Sequence, residues 1–429
     1  MAKVLVFPAG TEIALEINVA LRNCKFVELY GATSVDCHAE MLFKNLVAGM
    51  PFVCDSGFIQ AMNDVIDMWG IDYVYPAHDD ALLVLTRRQK ELHAKVITSD
   101  FDTVFICRSK YRTYSYLRDE GGEWFLPWFF MGENESIKLP AFAKPDIGQG
   151  SYGVKKLDNQ GDLDELFRYN DTRYVVCEFL PGEEITVDCF TDRHGELKTA
   201  VERTRDRIRS GISVRSEIVP LETRVLDIAK FLNTHFKFNG AWFFQLKKDV
   251  NDEYKLLEVA PRIAGTMGLT RVMGINMPLL TLYNIMGEKV DIMRNHNHIL
   301  LDRAFISRFE SDIDYESVYI DLDDTIVAKG KVNPMVMAFL YQASNEGKKI
   351  ILMTRHRGDI FQELDKYHVP LDLFHSVIFV GPQELKSDYV NGNSIFIDDS
   401  FAERKDVHDW VCVPTFAVDA VESLIDWRA

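Results

Sequence analysis

Residues 242–262 read WFFQLKKDVNDEYKLLEVAPR. Two runs that alternate apolar and polar residues flank the polar turn Asp249 to Glu253, the pattern of an antiparallel hairpin with one face in a core. With the turn centred between Asn251 and Asp252, Gln245 and Glu258 stand directly opposite each other, their side chains roughly 5 Å apart. That spacing suits joint oxygen ligation of a magnesium ion. Phe244, Leu246, Leu257 and Val259 then point to the other face and into the core. Arg262, just past the second strand, is placed to hold a phosphate oxygen. A solvated face with one cross-strand hydrogen bond would show the same alternation, so the chemistry is decided by what accompanies the hairpin.

Upstream, residues 142–156 read FAKPDIGQGSYGVKK. Lys144 ends a short strand, and Gly148, Gly150 and Gly153 follow around Gln149, Ser151 and Tyr152. Glycines let backbone N–H groups curl around phosphate oxygens while the lysine adds a point charge. The spacing is neither a P-loop nor a dinucleotide fingerprint. Next, VVCEFLPGEEITVD, residues 175–188, gives Glu178, Leu180, Glu183 and Glu184 beside a Pro-Gly turn. A nucleotide needs an acceptor for its amino group, backbone contacts to its ring and a carboxylate for ribose hydroxyls, and this segment can supply all three.

Arg203, Arg205, Arg207 and Arg209 recur at alternate positions, with Arg215 just beyond. On a single strand four guanidiniums would share a face, which self-repulsion opposes unless an anion lies between them. The functional reading is a clamp for a carboxylate substrate and the phosphoryl group in transfer. The alternative is an edge strand guarded by charge.

A second cluster begins at SVYIDLDDTIV, residues 317–327, where Asp321 and Asp323 close a buried strand with their side chains starting on the same side. One can attack phosphorus while the other protonates the leaving oxygen, and both can help hold magnesium. KKIILMTRH ends a strand on Thr354, GPQELKSD offers Lys386, and NSIFIDDSFAER ends a strand on Asp398 and Asp399.

The chain has 429 residues and a formal charge of −17. That length predicts two or three domains. The charge argues against nucleic acid or an anionic membrane as a general partner, so an anionic ligand must be met by a local cationic pocket. Seven cysteines without a C-x-x-C pair suggest neither a disulfide framework nor a zinc knuckle, and fit a reducing cytoplasm. No basic leader or long apolar run targets or anchors the chain. Strand-like runs at 3–7, 26–30 and 73–75 alternate with helical patterns at 13–21 and 81–93, an open α/β rhythm over residues 1–107. Residues 108–310 read as α+β, and a second α/β unit spans 316–429.

Taken in order, residues 1 to about 300 resemble the ATP-grasp superfamily, the group of carbamoyl phosphate synthetase, D-alanine-D-alanine ligase and amino-acid ligases. The resemblance implies a Rossmann-like domain before an ATP-grasp fold. It makes Lys110, in CRSKYRTYSYLRDEG, and Lys144 the nucleotide lysines, Glu178 and Leu180 the adenine contacts and Glu184, in preference to Glu183, the ribose carboxylate. It makes Gln245 and Glu258 metal ligands, Arg262 a phosphate holder and Arg203, Arg205, Arg207 and Arg215 substrate arginines. The usual E-x-N-x-R strand reads Glu258-Val-Ala260-Pro-Arg262 here, which removes one metal ligand. Residues 316–429 resemble the haloacid dehalogenase superfamily without a cap domain. That resemblance makes Asp321 the nucleophile, Asp323 the acid/base, Thr354 and Lys386 phosphate binders and Asp398 the principal metal ligand, with Asp399 in support.

Together these imply an ADP-forming ligase joining a small carboxylate to an amine, itself a candidate to carry phosphate, with ATP and magnesium, or manganese in its place, and a fused phosphatase. The alternatives are an ATP-sensing module that regulates the phosphatase, and a carbamoyl-phosphate-forming kinase activity. A homo-oligomer stays open.

Overall fold

The computed structural model describes residues 1–132, 134, 136–150, 152–169 and 173–428. The chain divides into two compact units, Met1–Phe305 and Ile306–Ala429. Among the described residues no helix is long and apolar enough to cross a membrane.

The first unit opens with a parallel sheet of order β3-β2-β1-β4-β5, comprising β1 Ala2–Phe7, β2 Val27–Ala32, β3 Leu46–Val47, β4 Tyr73–Pro76 and β5 Lys95–Val96. β1 is buried on both faces: Val4 and Val6 join one core, Leu5 and Phe7 another. The core around Val4 and Val6 also takes in Phe190, Val201, Phe243 and Met267, so this sheet shares its interior with residues far along the chain. The helix expected over 81–93 runs instead as Asp79–Arg87. The chain reverses after it, which aims Leu92 and Ala94 into the core beside Leu85.

A small antiparallel sheet follows, of order β6-β9-β7-β8, made of β6 Phe129–Met131, β7 Ala141–Pro145, β8 Lys155–Leu157 and β9 Tyr174–Glu178. The largest antiparallel sheet has the order β11-β10-β14-β15, with β10 Glu184–Thr191, β11 Leu197–Thr204, β14 Gly240–Lys248 and β15 Tyr254–Ala260. Trp242, Phe244 and Leu246 fill a core on one face of it, under the helix Thr223–His235. A third sheet joins β12 Arg207–Arg209, β13 Ile212–Glu217 and β16 Leu300–Asp302.

The second unit is a parallel sheet of order β21-β20-β17-β22-β23, with β17 Ser317–Ile320, β20 Lys349–Thr354, β21 Ser376–Phe379, β22 Ser394–Ile397 and β23 Thr415–Phe416. Only the two-residue strands β18 Val327–Ala328 and β19 Lys331–Val332 and the helix Pro334–Asn345 lie between β17 and β20. Because β20, β17 and β22 are neighbours, Thr354, Asp321 and Asp398 emerge side by side at the carboxyl edge, where open parallel sheets bind ligands.

Candidate active sites

In the first unit a cavity of ≈ 280 Å³ is lined by Lys110, Lys144, Glu178, Leu180, Glu184 and Glu258 among others. Lys144 is 6 % exposed on β7; its Nζ donates to the Tyr114 hydroxyl at 2.8 Å and the Leu257 carbonyl at 3.4 Å. Lys110 opens the helix Lys110–Asp119, whose N-cap Ser109 accepts from the Arg112 amide. Asp146, which sequence reading passed over, pins that helix start to the end of β7: it accepts from Ser109 Oγ at 2.7 Å and the Tyr111 amide at 2.9 Å. Burial lowers the Lys110 pKa and the nearby Lys144 and Arg108 charges lower it further, against the opposing pull of Glu258. Lys110 and Lys144 thus bring two cations to the wall of one cavity, which suits phosphate oxygens.

Glu184 pairs with Arg205 at 2.7 Å and Lys247 at 3.8 Å on the cavity wall. Glu183 is exposed and meets Lys248 at 3.8 Å on the surface. Burial raises the Glu178 pKa. Gly150 takes φ +62°, and a Cβ on Gly211 would fall 2.2 Å from the Gly150 carbonyl carbon, so the loop and the β12–β13 turn meet backbone to backbone. Gln149 Nε2 reaches His78 Nε2 at 2.8 Å. Ser151 lies outside the described residues.

Gln245 and Glu258 are paired in register on β14 and β15. The route to that pairing differs from the expectation. Lys248 opposes Tyr254, which centres the turn on Asn251, and a bulge between Gln245 and Leu246 restores the Gln245–Glu258 match. The extra residue is Leu257. It therefore does not enter the core as the alternation predicts; Leu256, fully buried, does, while Leu257 lines the cavity. Ala260 is 6 % exposed, in a core, and brings no donor. One amide and one carboxylate are too few to hold a magnesium ion alone, but they fit the usual case of a few protein oxygens completed by phosphate oxygens.

A second cavity of ≈ 280 Å³ adjoins the first through shared residues Lys110, Gly150, Arg205, Gln245 and Glu258. Thr11, Glu12, His78, Asp79, Arg203 and Arg262 also line it. Arg262 faces this cavity as expected of a phosphate holder, yet its guanidinium is engaged: Nε and Nη2 donate to Asp79 at 2.6 and 2.7 Å. Burial would raise the Asp79 carboxyl, but Arg262, then Arg108 and His78, hold it down at about 2. Arg108 in turn grips Asp80 at 2.7 Å.

The arginine row is not one face of one strand. β11 ends at Thr204, and the chain enters a different sheet at Arg207. Arg203 is buried against Asp188 at 2.9 Å, and Arg205 is held by Glu184. Arg207 and Arg215 share Asp302 near the surface, at 2.5 and 3.0 Å, and Arg209 lies over the Phe305 ring. Each cation thus has a counter-charge or ring, shared in the case of Arg207 and Arg215, and of the row only Arg203 and Arg205 line the cavity.

In the second unit Lys386 Nζ, 2 % exposed, donates to Asp321 at 2.7 Å and Asp398 at 2.6 Å. Asp321, Asp398 and Asp399 bring carboxylate oxygens within 4.8 Å of one another. One ammonium cannot balance two buried carboxylates. Burial chiefly, together with Asp398, therefore pushes Asp321 up to about 7 against the pull of Lys386, and Asp398 is raised as well. Three convergent carboxylates with surplus negative charge fit a divalent cation with oxygen preference. The Asp323 carboxylate stands outside this trio. β17 ends at Ile320 and the chain turns through Asp324 at φ +57°, yet Asp323 stays near enough for its charge to help raise Asp321. Asp323 meets His356 Nδ1 at 3.1 Å, a partner sequence reading missed although His356 follows Thr354 by two residues. Thr354, fully buried, accepts the His356 amide at 3.0 Å, and Thr325 Oγ1 accepts the Asp399 amide at 3.0 Å. Arg355 binds Glu403 and the carbonyls of Gly381 and Glu384, fixing the loop that carries Lys386.

A family model described as ATP-grasp in the biosynthetic pathway with Ter operon matches residues 170–303, the stretch that carries Glu178, Glu184, Gln245, Glu258 and Arg262. No curated protein matches the sequence. Among solved structures, biotin carboxylase from Campylobacter jejuni superposes with a TM-score of 0.56 at 14 % identity, over 70 % of this chain and 74 % of that one. N5-carboxyaminoimidazole synthetase from Staphylococcus aureus, complexed with ADP, gives 0.55 at 13 % identity over 67 % and 78 %. An L-amino acid ligase from Bacillus licheniformis gives 0.52 at 18 % identity over 66 % and 74 %. At these identities the likeness is one of fold, and the fold is ATP-grasp.

Proposed function

We propose that the first unit is an ADP-forming carboxylate–amine ligase and the second a divalent-cation-dependent phosphatase. The observation that carries the first half is the Gln245–Glu258 pair at the junction of two cavities, with Lys110 on both and Arg262 on the inner one. The outer cavity takes the nucleotide, with Glu178 and Leu180 at its base and Glu184 at its ribose. Lys110, Lys144 and the glycine loop hold its phosphates. Magnesium, when bound, neutralises the phosphate oxygens that Gln245 and Glu258 face.

The substrate carboxylate oxygen attacks the γ-phosphorus, the bond to the β-phosphate oxygen breaks, and ADP leaves. The amine nitrogen then attacks the acyl carbon; the C–O bond breaks, phosphate departs, and the nitrogen gives up a proton. The residues act by positioning and charge complementarity, the main source of catalysis in phosphoryl transfer. The ADP complex of the S. aureus synthetase and the amino-acid substrates named for the B. licheniformis ligase support this reading. Measuring ADP formation across a matrix of carboxylates and amines tests it.

In the second unit Asp321 attacks the phosphorus of a phosphate ester while Asp323, oriented by His356, protonates the leaving oxygen as the ester P–O bond breaks; water then attacks the aspartyl-phosphate phosphorus, Asp323 takes its proton, the bond from phosphorus to Asp321 breaks, and phosphate leaves. Lys386 and Thr354 bind phosphate oxygens. A second reading, an ATP-binding module that regulates the phosphatase without turnover, is favoured by Ala260, whose buried methyl group leaves the metal face one donor short. ATP binding without ADP release in that matrix would select it.

A further inference from the structure

Sheet register sets four side chains in one row: Arg203 opposite Thr186, Thr186 opposite Gln245, and Gln245 opposite Glu258. Two strand spacings put Arg203 roughly 10 Å from Gln245 along the sheet. Both line the inner cavity. Arg203 is 1 % exposed; Nε and Nη2 donate to Asp188 at 2.9 and 3.1 Å, and Nη1 has no partner. Asp188, fully buried, already balances the charge, so the fold does not need the Nη1 edge. An unmatched buried donor is costly unless something else completes it. The inner cavity's other guanidiniums each have a carboxylate beside them: Arg262 has Asp79, Arg205 has Glu184 and Arg108 has Asp80.

We propose that Arg203 Nη1 receives a second oxyanion of the carboxylate substrate, remote from the carboxylate activated beside Gln245 and Glu258. The substrate is then a dianion, a dicarboxylate or a phospho-carboxylate, lying along the row. The inference rests on the ligase reading for its orientation, but the anion site itself can be measured without turnover.

The full chain, with magnesium and a non-hydrolysable ATP analogue, is titrated calorimetrically with α,ω-dicarboxylates of increasing length, with ω-phosphonocarboxylates, and with monocarboxylates of matched length. One length of dianion should bind at least about tenfold tighter than its matched monoanion, the worth of one charge-assisted hydrogen bond. The dicarboxylate and phosphonate arms tell which oxyanion is preferred. Arg203→Lys should abolish the preference, because its single ammonium is consumed by Asp188. Equal affinity for monoanion and dianion at every length in the wild-type protein overturns the proposal, as does a preference that survives in folded Arg203→Lys. If that variant does not fold, the wild-type comparison decides alone. ADP release with ATP in place of the analogue separates the two readings. Tight dianion binding without ADP would sink ligation and leave the anion site standing, whereas ADP release with no dianion preference in the titration sinks the anion site alone.

Discussion

Gln245 and Glu258 face each other because Leu257 is bulged out between them and the turn, and the same bulge aims the Leu257 carbonyl at the Tyr114 hydroxyl, 2.7 Å away. Deleting Leu257 restores a regular hairpin with Gln245 still opposite Glu258, but removes the carbonyl that Lys144 reaches and the nearer of the two that accept from Tyr114, the Leu256 carbonyl at 3.1 Å being the other. The variant should fold and should bind ATP about tenfold more weakly, the sum of one hydrogen bond and some apolar contact. Calorimetric titration with ATP checks it; unchanged affinity would show that the bulge serves only the sheet.

Glu258→Ala should abolish carboxylate-dependent ADP release and leave the melting temperature within a few degrees, because the side chain faces the cavities and not a core. Nucleotide analysis of the wild-type reaction should show ADP. AMP with pyrophosphate would exclude an acyl phosphate route.

The Asp79–Arg262 pair links the helix Asp79–Arg87 to the end of β15. Asp79→Ala leaves the buried Arg262 charge unmatched and should cost on the order of 3–5 kcal/mol. Asp79 titrates near 2 in the folded protein against 3.8 ordinarily, so its contribution, on the order of 2 kcal/mol, is complete above pH 4 and is lost as pH falls toward 2. Melting curves from pH 5 to 2 should show a steeper acid loss in the wild-type chain than in Asp79→Asn.

Asp321 has the opposite sign. Its pKa is raised by burial to about 7, so in metal-free protein the second unit should lose stability as pH climbs from 4 to 7. Magnesium replaces the missing positive charge, and should therefore raise that unit's melting temperature more at pH 7 than at pH 4. An equal rise at both values would mean that the ion binds elsewhere.

Fusion raises the effective concentration of one site's product at the other, which is useful when the reactions are consecutive. If the ligase couples a phosphorylated amine and the phosphatase then removes the phosphate, Asp321→Asn should accumulate a conjugate one phosphoryl group heavier than the wild-type product. Mass spectrometry of both reactions decides; identical products from mutant and wild type would end the consecutive scheme.

Local pattern was enough for the hairpin pairing and for the strand ends that carry acids. Alternation over 242–262 placed Gln245 against Glu258, and apolar runs that end in acids put Asp321 and Asp398 at strand ends. The glycine loop after Lys144 was legible for the same reason, since turn chemistry acts within a few residues. Charge partners were not legible, because an ion pair forms wherever the fold brings opposite charges together. Arg262 meets Asp79 across 183 positions, Arg203 takes Asp188 from the neighbouring strand, and Asp323 meets His356. Asp146 and Tyr114 also find their partners through the fold, whereas the Leu257 bulge is a shift of turn register that alternation alone does not reveal. The sequence by itself determined which strands carry the candidate side chains; only tertiary packing decided which of those side chains are spent on one another and which, like Arg203 Nη1, are left without a partner.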